Sequence, residues 1–168
     1  MLLRPATPDD AAAITDIYNQ AVRTTTASFD TQPKTVQDRL EWLADRTRRH
    51  PVIVAEDGGE VAGWGALSRY SERPAYDATV EISVYVDAGW HHRGVGRLLT
   101  DALLDRAATC GVHSVLARIC TENGASISLC ESVGFVEVGV MHEVGRKFDR
   151  WLDVVTYEYL VPGAADSP

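Results

Sequence analysis

The sequence predicts an α/β domain in which a mixed sheet is flanked by helices. Three observations carry this. Alternating strand-like runs interleave with helix-like apolar stripes, hairpin signals fall near both ends, and no internal repeat or linker divides the chain. A length of 168 residues with 45% hydrophobic and 24% charged residues suits one core, so a single domain over 1–162 is expected, with 163–168 a loose tail.

Leu2 and Leu3 begin a short strand. Thr7-Pro8-Asp9-Asp10 then reads as a helix start, with Pro8 in the first turn and acids at the positive dipole end. Ile14, Ile17, Tyr18, Ala21 and Val22 follow at helical spacing. A second start at Thr35-Val36-Gln37-Asp38 leads through Leu40 and Leu43 and is expected to end near His50-Pro51. The polar stretch RTTTASFDTQP between these helices reads as a pocket-covering loop. Residues 52–55 and 61–67 are strands joined by a hairpin at Asp57-Gly58-Gly59. After the loop SRYSERPAYD comes TVEISVYV, with Val80, Ile82, Val84 and Val86 on one face and Thr79, Glu81, Ser83 and Tyr85 on the other.

A helix follows, striped by Val95, Leu98, Leu99, Ala102 and Leu103 and closed at Cys110-Gly111. VHSVLARI is a strand, 123–133 a short helix stopped by Gly134, and 136–141 and 152–160 two last strands.

Several function classes are excluded by composition. A net charge of −8 argues against a nucleic-acid partner, which requires clustered cations. No apolar run approaches the ~20 residues of a membrane span, and the first residues lack signal-peptide zones. Three cysteines without CxxC spacing read as reduced thiols, so a cytoplasmic protein without a structural metal is expected. His50, His113 and His142 have no metal-ligand spacing. Trp42, Trp64 and Trp90 read as packing.

The chemistry centres on GWHHRGVGRLL, residues 89–99. Strand, glycine loop and amphipathic helix in that order aim unpaired backbone N–H groups and the positive helix end at one point. Gly94 and Gly96 remove the Cβ atoms that would block close approach, and Arg93 and Arg97 add charge. The expected guest is a pyrophosphate or similar compact anion. The triphosphatase pattern GxxxxGK followed by Ser or Thr is absent, and Leu99 stands where the dinucleotide pattern GxGxxG needs its third glycine. A dinucleotide-binding oxidoreductase is therefore a poor fit, which leaves coenzyme A.

Here the sequence resembles the GNAT superfamily of acyl-CoA-dependent N-acyltransferases, whose phosphate loop reads Gln/Arg-x-x-Gly-x-Gly/Ala. His91-His92-Arg93-Gly94-Val95-Gly96 matches it except that His91 replaces Gln or Arg. LRPATPDD, IYNQAV, PVIVAEDGGEVAGW, RPAYDATVEISVYV, ENGASISLCESVGF and GRKFDRWLDV follow the order of its phosphinothricin and methionine-sulfoximine N-acetyltransferase branch. The resemblance implies a GNAT fold, with acyl-CoA lying where two central strands splay. It also implies acetyl transfer from acetyl-CoA to the α-amine of an amino-acid-like acceptor, by direct attack in a ternary complex, with no metal and as a homodimer. Other amines (a polyamine, an aminoglycoside, a protein N-terminus) and a non-catalytic acyl-CoA sensor are the alternatives.

Residue by residue, Glu81 is the general base: an attacking amine must be neutral, and a carboxylate can take its proton directly or through one water. The resemblance implies that backbone groups of Val84, Tyr85 and Val86 bind the pantetheine, and that Asn123 and Ser126 contact the cofactor from the short helix. The loop His91 to Arg97, with Val95 opening the helix, is expected to hold the phosphates. Cys130 stands where the superfamily often has a Tyr that protonates the departing thiolate and this branch usually has His. It could be that acid, an acylated nucleophile or packing, and water could replace it. Substrate anions call for cations, and Arg73 and then Arg69, beside Tyr76 in RPAYDATVE, are the candidates. Phe29 would wall the pocket, and Lys147, with Phe148 and Trp151, would border it.

Overall fold

Seven strands and four helices alternate along residues 1–163, which the computed structural model describes; the expected tail lies, beyond Gly163, outside the described residues. In chain order they are β1 (Leu2–Pro5), α1 (Ala11–Thr24), α2 (Val36–Ala44), β2 (Val52–Asp57), β3 (Glu60–Arg69) and β4 (Thr79–Val86). Then follow α3 (Val95–Thr109), β5 (Ser114–Cys120), α4 (Gly124–Ser132), β6 (Val136–Lys147) and β7 (Arg150–Leu160). The strands form one sheet in the order β1-β2-β3-β4-β5-β7-β6. Every pairing is antiparallel except β4 with β5.

Strand periodicity divides the core in two. Leu67, Val80 and Val115 point to one face, under the α3 stripe of Val95, Leu99 and Leu103. Burying each such aliphatic side chain contributes about 1.5–3 kcal/mol. Val54, Trp64 and Ala66 point to the other face, under Ile14 and Ile17 of α1. Leu98 belongs to neither cluster; it is exposed at the edge of the predicted stripe. Among the described residues no helix is long and apolar enough to cross a membrane.

Local chemistry sets the boundaries. The β2–β3 hairpin turns on Gly58 and Gly59, both at positive φ, as a two-residue turn of this hand requires. Asp10 accepts from the Thr7 N–H at 2.7 Å and from both terminal nitrogens of Arg4 at 2.8 Å. The Arg4 guanidinium holds the buried Asp10 carboxyl below the usual carboxylate range. α2 ends six residues before His50, sooner than expected. Arg46 folds back so that its Nε donates to Trp42 O at 3.0 Å, satisfying a carbonyl that a further helical turn would have used. β6 is twice the expected length because an irregularity between Met141 and Gly145, with Glu143 at φ 52°, interrupts its alternation.

Candidate active site

β4 and β5 pair only where Thr79–Glu81 meets Ser114–Leu116. Beyond Glu81 they part, and β5 continues along β7 to Cys120. The gap runs through the sheet and opens into two cavities. One, of about 640 Å³, borders Val84, Tyr85, Val86 and the glycine loop. The other, of about 560 Å³, borders Glu81, Ser83, Tyr85, Arg118, Phe29 and Cys130. Val84, Tyr85, Asn123, Ser126 and Leu129 wall both, so the two cavities adjoin along the gap.

In the first cavity, Gly94 adopts φ 79° and introduces α3. Glycine adopts this left-handed conformation at the least steric cost, and the turn leaves the first N–H groups of α3 without intrahelical partners. A Cβ on Gly96 would stand 3.5 Å from Leu129 and 3.8 Å from Val86, both cavity walls, so its absence widens the cleft itself. Asn123 Oδ1 accepts from Ser126 N at 3.2 Å and caps α4, leaving the amide nitrogen free to donate.

In the second cavity, both Glu81 oxygens accept from Arg118, at 2.9 and 2.6 Å. Tyr18 donates to Asp30 at 2.7 Å and accepts from Ser28 at 2.9 Å. Burial pushes the Tyr18 hydroxyl up to about 12, so it stays protonated at neutral pH. Cys130 is buried among apolar neighbours, which pushes its thiol up to about 11.

A cleft between splayed strands, fed by a glycine-opened helix, is an acyl-CoA site in form. Residues 14–135 match the family described as "Acetyltransferase (GNAT) family". The chain belongs to the GNAT acetyltransferase family. It is 39% identical over 160 residues to phosphinothricin N-acetyltransferase of Streptomyces coelicolor, covering 93% of this chain and 94% of that one. It is 40% identical over 155 residues to L-methionine sulfoximine/L-methionine sulfone acetyltransferase of Salmonella typhimurium, covering 92% and 90%. The structure of a Salmonella typhimurium protein described as an acetyltransferase, with its cofactor acetyl-CoA, superposes with TM-score 0.96 at 37% identity, covering 100% of this chain and 98% of that one.

This GNAT chain places its predicted residues unevenly. Val84, Tyr85, Val86, His91, His92, Gly94, Val95, Gly96, Asn123 and Ser126 border the cofactor cleft. His91 is turned inward, its Nε2 3.0 Å from Val86 O, where it holds the end of β4. The arginines stand aside: Arg93 lies over the Trp90 ring at 4.9 Å, and Arg97 pairs with Asp101. The main chain of the loop therefore carries the cradle. Its open Gly96 side fits a diphosphate-bearing cofactor such as acetyl-CoA.

On the acceptor side, Glu81, Phe29 and Cys130 share one cavity. Arg69 does not reach it. It pairs in register with Val80 while Ser68 pairs with Glu81, so Arg69 leaves the opposite face of the sheet, lines another cavity and pairs with Glu72. Arg73 precedes an exposed turn and Tyr76 packs edge-on against Tyr70, neither bordering the Glu81 cavity. Lys147 is buried, with its ammonium donating to Thr25 O at 2.8 Å and Ser28 O at 2.6 Å. It ties down the α1–α2 loop and is not free for substrate. Arg118, Tyr18 and Asp30 line the cavity and were missed. Arg118 had a signal in the sequence: like Glu81, it is a charge inside an otherwise apolar strand.

Proposed function

We propose that this enzyme transfers acetyl from acetyl-CoA to the α-amine of a small amino-acid-like acceptor by direct attack in a ternary complex. The observation that carries the reading is the β4–β5 gap, with two neighbouring cavities that share walls, one bordered by the glycine-loop cradle and the other by Glu81. The activities named for relatives of about 40% identity support the acceptor class.

Acetyl-CoA supplies an activated thioester. Backbone groups of β4 beyond Glu81, unpaired with β5 among the described residues, bind the pantetheine as an added strand would. A main-chain N–H there stabilises the developing oxyanion. Asn123 and Ser126 border the cofactor from α4. Glu81 takes the proton of the acceptor ammonium, directly or through a water held by its remaining lone pairs, while Arg118 keeps the carboxylate fixed. Phe29 walls the acceptor space. Positioning and oxyanion stabilisation supply most of the rate.

The test is acetyl-CoA-dependent thiol release with a panel of amines. Methionine sulfoximine and phosphinothricin are expected to be turned over with Michaelis constants below those of any polyamine or aminoglycoside. Release confined to polycationic amines would reject the acceptor class. Absence of release with every amine, despite acetyl-CoA binding, would favour a sensor.

The same reading includes a homodimer. Val136, Val138, Val140, Val144 and Trp151 expose apolar surface around the edge strand β6, an unprotected edge that monomers avoid. Light scattering at micromolar concentration is expected to give the mass of two chains; a monomer would remove this part.

A further inference from the structure

Arg39 projects from α2 and is only 7% exposed. Its guanidinium carbon lies 4.8 Å from the Tyr18 ring, 4.5 Å from Trp42 and 5.2 Å from Trp64. Aromatic faces offset part of the cost of burying a cation, but they accept none of its in-plane N–H bonds. Among the described residues Arg39 takes part in no ion pair, and its buried Nε has no hydrogen-bond partner. The neighbouring acids are committed elsewhere. Asp38 accepts from Thr35 N at 2.8 Å, and Asp30 holds Tyr18 and Lys34. A buried guanidinium without a carboxylate is expensive to keep unless something else completes it.

Arg39 lines a cavity of about 440 Å³ with Lys34, Ser68, Ser83, Tyr18 and Tyr85. Tyr18, Ser83 and Tyr85 also wall the Glu81 cavity, so the two spaces adjoin. The register fixes their relation. Ser68 pairs with Glu81, Ala66 with Ser83 and Trp64 with Tyr85. Arg39 therefore stands beside positions one and two strides farther along β4 on Glu81's own face, each stride about 7 Å. A glutamate-sized acceptor with its amine at Glu81 would place the end of its side chain one stride away.

We propose that Arg39 is a specificity-determining residue that binds the side-chain anion of the acceptor. It would make this enzyme prefer amino acids ending in a carboxylate or phosphinate over neutral isosteres. The proposal rests on the amino-acid acceptor assigned above. Ser83 and Lys34 complete the subsite, and the planar guanidinium gives the bidentate contact that either anion matches.

Arg39→Met fills the aromatic cage with an uncharged side chain of similar length, and its melting temperature is expected to match or exceed that of the wild type. The Michaelis constant for phosphinothricin should rise about 30-fold, the loss of one charge-assisted fork. That for methionine sulfone should stay within about twofold, since it lacks the anion. Arg39→Lys should fall between. An equal rise for both acceptors, or none for either, would overturn the assignment.

Titration with glutarate, which carries anions but no amine, reads the subsite without turnover. It should change wild-type tryptophan fluorescence saturably, through Trp42 and Trp64, and leave Arg39→Met unchanged. Equal responses in the two proteins, or none in the wild type, would overturn the subsite. Turnover of neither acceptor alongside a glutarate response specific to the wild type would reject the amino-acid acceptor and retain the anion site.

Discussion

Glu81 keeps both carboxylate oxygens on Arg118 and still lines the cavity proposed for the acceptor. Glu81→Gln keeps the shape but leaves only one oxygen to accept and no base to take a proton. Turnover at pH 8 should fall about 10²–10³-fold, within the range for loss of a general base. The acetyl-CoA Michaelis constant should stay within about threefold, because the cradle belongs to other residues. Steady-state rates with both substrates varied would decide it; undiminished turnover would take Glu81 out of the chemistry. Glu81 was legible because a carboxylate interrupts an alternating apolar strand that runs into the glycine loop. Arg39 and Tyr18 were not, since each sits on a helix face that reads as ordinary amphipathic spacing. Only the packing of α1 and α2 on the sheet brings them beside β4.

At the scale of elements, the acceptor wall is assembled from pieces far apart in sequence. The α1–α2 loop carries Phe29, and β6 lies against it at Gly145, where a Cβ would collide with the Phe29 ring. Lys147 fastens the same loop two residues on. Gly145 has an ordinary negative-φ backbone, so Gly145→Ala strains no dihedral and acts by displacing Phe29. The acceptor Michaelis constant should rise about tenfold while that of acetyl-CoA is unchanged, roughly the cost of one lost apolar wall. Kinetics with acetyl-CoA saturating would show it, and an unaltered acceptor constant would mean that Phe29 does not shape the site. None of this contact was readable beforehand. The bulge that interrupts β6 hid the strand's second half from its period, and the β6–β7 turn uses Phe148 and Asp149 at positive φ where a glycine would have marked it. The β2–β3 hairpin and the alternation of β4, both local signals, were read correctly.

For the whole molecule, what matters is that one gap joins the two faces of the sheet. The cavity at the glycine loop and the Glu81 cavity share Val84, Tyr85, Asn123 and Ser126 as walls, an arrangement that suits the proposed ternary complex. That geometry favours direct transfer. A covalent relay would need a nucleophile, and of the two thiols lining the Glu81 cavity, Cys120 and Cys130, the sequence singles out Cys130. Its pKa is raised to about 11 by burial, so the neutral form dominates below that pH. At pH 8 only about one thiol in a thousand is the reactive thiolate. Initial rates measured with both substrates varied should therefore give intersecting reciprocal lines, and Cys130→Ala should keep the pattern with turnover within about threefold. Parallel lines that vanish with the thiol would mean that acetyl rests on Cys130. Intersecting lines with turnover lost in Cys130→Ala would instead give the thiol the work of protonating the departing sulfur, which its high pKa disfavours because the proton would have to move to a weaker base.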